Sequence, residues 1–119
     1  MKLTFRKVKD YIVVHLNGSL DTSVSREVEE DFEEILSQYP DLNILLNMRD
    51  LKYLSSSGLR TIISIRGILV DKNKQLKICH MGRNVKDIFE MTKVLNFFKV
   101  YHDEDSAIQS INQLEIDEI

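Results

Sequence analysis

Residues Asn43-Ile44-Leu45-Leu46-Asn47-Met48 form a nearly unbroken apolar run of strand length. A strand with one wet face alternates polar and apolar side chains. A run without alternation needs cover on both faces. That requirement points to a sheet layered between helices, and the flanking segments agree. Leu51-Lys52-Tyr53-Leu54 follows, then Ser55-Ser56-Ser57-Gly58, then an apolar helix pattern.

Upstream, Thr4 to Val8 and Tyr11 to Leu16 read as two strands of an antiparallel hairpin joined at Lys9-Asp10, with Asn17-Gly18 as the turn that ends the second. Val24, Val28, Phe32, Ile35 and Leu36 recur at helical spacing, after the capping residues Asp21-Thr22-Ser23. Glu27, Glu29, Glu30, Asp31, Glu33 and Glu34 fill the solvated side of that helix. After the serines, Leu59, Ile62, Ile63, Arg66 and Val70 mark one side of a second helix, with Ile65 and Leu69 broadening the stripe.

Leu76 to Cys79 reads as a strand, and Val85, Ile88, Phe89 and Thr92 as a short third helix. Val94 to Phe98 is expected as an apolar connector in the core, and Lys99 to Tyr101 as an edge strand. Asp103 to Ser106 caps a last helix with Ala107, Ile108, Ile111 and Leu114 inward; a frayed tail is expected from about residue 115. The expectation is one α/β domain over residues 1–119: a small open mixed sheet of about five strands, an N-terminal antiparallel hairpin then parallel strands, with about four helices.

A net charge of −3 gives no basic footprint for nucleic acid and no attraction to an anionic membrane. No apolar run is long enough to span a bilayer and no signal-peptide pattern opens the chain, so a cytoplasmic location is expected. The single cysteine, Cys79, reads as a small buried apolar residue. His15, His80 and His102 form no metal-ligand spacing, and neither a phosphate-binding loop nor a nucleophile elbow is present. No catalytic residue and no cofactor are expected.

Ser55, Ser56 and Ser57 stand where a helix begins. Serine is a good N-cap because its hydroxyl accepts from the free amides of the first turn. The same hydroxyl is a phosphate acceptor, and an anion placed there meets the positive end of the helix dipole. Such a site is modifiable without melting its own helix.

Leu16-Asn17-Gly18-Ser19-Leu20-Asp21 and Asn47-Met48-Arg49-Asp50-Leu51-Lys52-Tyr53-Leu54-Ser55-Ser56-Ser57-Gly58-Leu59 resemble the two signatures of the STAS domain of bacterial anti-sigma-factor antagonists. Asn84 to Phe98 is similar to that family's third helix and following loop. The resemblance implies a non-enzymatic regulator that binds an anti-sigma factor, itself a serine kinase, and so releases a sigma factor. It implies phosphorylation at Ser56, less so at Ser55 or Ser57, reversed by a serine phosphatase.

By position it also brings Asp21 near the acceptor. Ser19, Tyr53, Leu54, Ser55, Ser57, Gly58 and Arg60 join Asp21 as expected partner contacts, Tyr53 or Leu54 serving as an apolar anchor if exposed. Ser55 replaces the family's Asp, Ser19 its Glu, and Arg60 a usual glycine. Arg60 lies one turn from Ser56, in reach of a phosphate there. Two other functions stand beside this one. One is a scaffold of the same fold that binds partners constitutively in a stress-signalling assembly. The other is an anion-binding protein or enzyme using the serine-lined helix end.

Overall fold

The structure, a computed structural model, describes residues 2–110. Its elements in chain order are β1 (Lys2–Val8), β2 (Tyr11–Leu20), α1 (Ser25–Gln38), β3 (Asn43–Asn47), β4 (Leu51–Leu54) and α2 (Ser56–Asp71). β5 (Leu76–Cys79), α3 (Arg83–Met91), a 3-10 turn (Leu95–Phe97), β6 (Lys99–Tyr101) and α4 (Glu104–Gln109) follow. The sheet order is β1-β2-β3-β5-β6. β1 pairs antiparallel with β2, and the remaining pairs are parallel. This is the expected α/β architecture with one more strand. β4 is the addition: it lies beside the far end of β2, beyond the reach of β3.

Asn17-Gly18 does not end β2. The strand continues to Leu20, and its register shifts between Gly18 and Ser19. Gly18 holds φ +101°, a conformation open to glycine, and its amide donates to the Asp50 carbonyl at 3.0 Å. The turn signal is therefore a bulge that hands β2 from β3 to β4.

β3 is covered on both faces, as its sequence requires. Ile44 and Leu46 join Val14, Leu16, Phe32, Ile62, Ile65 and Phe89 in the larger core. Leu45 faces the other way, with Tyr11, Val13, Cys79, Ala107 and Ile108. Full burial of each large side chain stabilises by roughly 1.5–3 kcal/mol.

The α2 stripe is centred differently from its periodicity. Leu59, Ile62, Ile65 and Leu69 are buried, while Ile63 and Val70 are 40% and 48% exposed. Apolar residues occur around much of this helix, so spacing alone did not select a face. Arg66 instead lies over the rings of Phe97 and Phe98, at 5.9 and 5.8 Å. In the connector after α3 only Phe98 is buried; Phe97 is exposed, and a 3-10 turn replaces the expected core segment. Ile111, Leu114 and the tail fall outside the described residues.

Lys77 is buried in β5, which the strand reading did not anticipate. Its Nζ donates to the Ala107 and Ser110 carbonyls, each at 2.8 Å, and lies 5.3 and 5.2 Å from the rings of Tyr11 and Tyr101. Burial lowers its pKa. The ammonium ties the end of α4 to the sheet.

Candidate switch site at the start of the second long helix

β4 does not alternate strictly: Leu51 and Leu54, at its two ends, are buried in the core, while Lys52 and Tyr53 between them are exposed. The Ser55 amide then donates to the Leu20 carbonyl at 2.9 Å, fixing the chain where α2 begins. Ser55 is the N-cap: its backbone is extended and its Oγ accepts from the Gly58 amide at 3.0 Å. Gly58 sits against β2. A Cβ there would lie 2.5 Å from the Leu20 carbonyl oxygen and 2.9 Å from Leu54 Cδ1. Only glycine lets α2 approach this closely.

The three serines divide their work. Ser55 Oγ lies 3.2 Å from Ser57 Oγ and donates to the Leu20 carbonyl at 3.3 Å. Ser57 Oγ donates to Thr22 Oγ1 at 3.0 Å and sits 3.1 Å from Ser25 Oγ. Ser25 Oγ also donates to the Asp21 carbonyl at 2.6 Å. Ser56 takes no part in this network and is exposed, in the first position of α2. By helix geometry its amide and that of Ser57 have no intrahelical acceptor.

Thr22, expected only as a capping residue, and Ser25, which the sequence reading does not single out, hold Ser57 in place. The available signal was the density of hydroxyl residues in Asp21-Thr22-Ser23-Val24-Ser25. Asp21 enters the network through its backbone. Its carboxylate instead accepts from the amide and hydroxyl of Ser23, at 3.0 and 2.6 Å, and the Ser23 hydroxyl holds its pKa below the usual range. It does not cap α1, whose N-cap is Val24, without a side-chain bond.

The expected partner contacts separate by exposure. Ser19 and Tyr53 are cross-strand neighbours, both exposed, Tyr53 at 53%. Arg60 is exposed and lines a polar groove between α1 and α2 with Arg26, Glu29, Glu30 and Ser64. Leu54 and Gly58 are buried and hold α2 on the sheet, so they present no surface to a partner. Ser57 is half-buried and its hydroxyl is occupied by neighbours.

Among the described residues no cluster of His, Cys, Asp and Glu is arranged for a metal ion, and no helix is long and apolar enough to cross a membrane. His15 lies near Glu104, at 3.8 Å, on another part of the sheet from the serines.

A mixed sheet opened by an antiparallel strand, and a hydroxyl-rich helix start docked on the end of β2, define a STAS-type α/β domain. The STAS domain model matches residues 2–107, and the chain belongs to that family. It is 23% identical over 105 residues to the anti-sigma F factor antagonist of Paenibacillus polymyxa, covering 88% of this chain and 87% of that protein. Its fold is similar to an anti-sigma factor antagonist from Mycobacterium paratuberculosis, with a TM-score of 0.81, 15% identity and 93% of each chain covered. It is also similar to the Bacillus cell-fate determinant SpoIIAA. The unphosphorylated form gives a TM-score of 0.76 at 16% identity over 96% of each chain. The phosphorylated form gives 0.68 at 16% identity over 90% of this chain and 96% of that one.

Proposed function

We infer that this chain is a cytoplasmic, non-enzymatic anti-sigma-factor antagonist. It binds an anti-sigma factor that is also a serine kinase, frees a sigma factor, and is switched off by phosphate on Ser56. A serine phosphatase resets it. One observation carries this reading: Ser56 is exposed at the start of α2, while Ser55 and Ser57 are held by neighbours. Relatives named as anti-sigma-factor antagonists, one of them solved with and without phosphate, support it.

A phosphate on Ser56 adds about −1.5 to −2 charges beside the free amides of the first turn, so the fold tolerates it. A protein packed over the same helix end does not. Desolvating that dianion without a partner costs several kcal/mol, by order of magnitude, and each ~1.4 kcal/mol is tenfold in affinity. Tyr53 beside Ser19 supplies an apolar anchor next to the switch.

Affinity capture from native lysate tests the reading. Wild type and Ser56→Ala retain a serine kinase that Ser56→Asp does not. A second reading, a constitutive scaffold, is favoured by Ser55 and Ser19 standing where the family carries acids. It predicts a complex that Ser56→Asp leaves intact.

A further inference from the structure

β1 is an outer strand of the sheet, paired with β2 alone among the described residues. It runs 7 residues without proline or register shift, whereas β6, at the other edge, has 3. The free amides and carbonyls of a long edge template pairing with another chain.

The hairpin register shows which backbone groups are free. β1 and β2 join through the loop Lys9-Asp10, with Val8 opposite Tyr11. On the far side of β2 the Asn43 amide donates to the Asp10 carbonyl at 2.9 Å. Alternate residues of β2, counted from Asp10, therefore address β3. That leaves Tyr11, Val13 and His15 to bond Val8, Arg6 and Thr4. Leu3, Phe5 and Lys7 aim their backbone groups outward, away from the sheet.

The same three residues stand opposite Leu16, Val14 and Ile12, all in the larger core, so their side chains share its face. Phe5 meets Tyr39 edge-on, with ring centres 6.1 Å apart, yet stays 43% exposed. A groove between this strand and α1 is lined by Leu3, Phe5, Asp31, Glu34, Ile35 and Gln38. Its two acids have no ion-pair partner among the described residues, and neither does the exposed Lys7.

We propose that β1 pairs antiparallel with β1 of a second copy of this chain, across a two-fold axis at Phe5, giving one continuous sheet. Leu3 then faces Lys7 of the second copy and Phe5 faces Phe5. Each pair exchanges both N–H···O bonds, using groups that are free in the monomer. The two Phe5 rings meet at the axis. Each Lys7 enters the other copy's groove beside Leu3, where Asp31 and Glu34 meet its charge. One end of the strand carries the lysine and the other borders the acids, so a two-fold axis makes the surface self-complementary. Arg6, on the opposite face, is engaged by Glu104 within its own chain.

Sedimentation velocity of the full chain over a concentration series tests it. Wild type passes from monomer to dimer between about 10 μM and about 1 mM, as suits a small interface. Lys7→Glu, altered at an exposed position, keeps the melting temperature of the monomer. It dimerises about tenfold more weakly or worse, because symmetry reverses both charge contacts at once. Asp31→Lys/Glu34→Lys alone weakens the dimer likewise, and combining it with Lys7→Glu restores most of the loss. Monomer at every concentration, a dimer indifferent to Lys7→Glu, or no rescue by the charge swap overturns the proposal.

Discussion

The α-carbon of Gly58 lies so close to Leu20 that an added methyl would stand 2.5 Å from the Leu20 carbonyl oxygen and 2.8 Å from its Cγ. Leu20 ends β2 and Gly58 lies in the first turn of α2, so this contact sets the depth at which α2 docks.

The contact predicts opposite outcomes for two glycines of one helix. Gly67, in the exposed middle of α2, has nothing within 4 Å of an added Cβ. Gly67→Ala stabilises by about 0.5–1 kcal/mol through helix propensity. Gly58→Ala gains no more than that and must displace backbone, so it destabilises by about 1–3 kcal/mol. Urea unfolding of both variants reads the two signs. A stable Gly58→Ala protein contradicts the docking.

Ser55 and Ser56 separate in the same assay. Ser55→Ala removes the N-cap bond to Gly58 and lowers stability by about 1 kcal/mol. Ser56→Ala changes an exposed hydroxyl outside the network and stays within about 0.5 kcal/mol of wild type. Equal losses at the two positions contradict the assignment of Ser55 as cap.

Glu104 shapes the acid limb. Burial pushes its carboxyl up, but hydrogen bonds from Arg6 and Asn47, the latter at 2.7 Å, with the charges of Arg6 and His15, bring it below the usual range. A folded-state pKa that is depressed contributes stability above the unfolded-state value, and that stability is lost as pH falls through the folded one. Glu104→Gln is therefore less stable than wild type at neutral pH, by about 1 kcal/mol. The gap narrows as the solution is acidified, with Asp21 and Asp103, also depressed, still acting in both proteins. Urea midpoints over a pH series measure it. A gap that does not change with pH contradicts the network.

Cys79 is fully buried, and burial pushes its thiol up to about 12. The thiolate is the reactive form. A thiol-specific chromogenic reagent at neutral pH leaves the native protein unlabelled and reacts with it in denaturant. Rapid native labelling contradicts the packing of β5 under α4.

Much of this was legible in the residues. The unbroken run at β3 required two covered faces, and Ile44, Leu45 and Leu46 have them. The cap signal placed the start of α2 correctly. Less legible was anything set by contacts distant in sequence. β4 is short, and its partner is the far end of β2, reached only because Gly18 bulges. The buried face of α2 is fixed by Gly58 against Leu20, which periodicity among Ile63, Arg66 and Val70 does not reveal. Ser57 is tied to Thr22 and Ser25, over thirty residues away by any local reading. Leu54 and Tyr53 are adjacent in sequence, yet only the packing of β4 beside the end of β2 decides that Leu54 is core and Tyr53 surface.

The central claim is that Ser56 accepts phosphate while the scaffold stays folded. Incubation with ATP and the kinase captured on the wild-type protein, then tandem mass spectrometry and circular dichroism, addresses both halves. The account predicts a single phosphate on Ser56, none on Ser56→Ala, and an unchanged spectrum. Phosphate on Ser55 or Ser57 instead, none at all, or loss of helical signal on modification contradicts it.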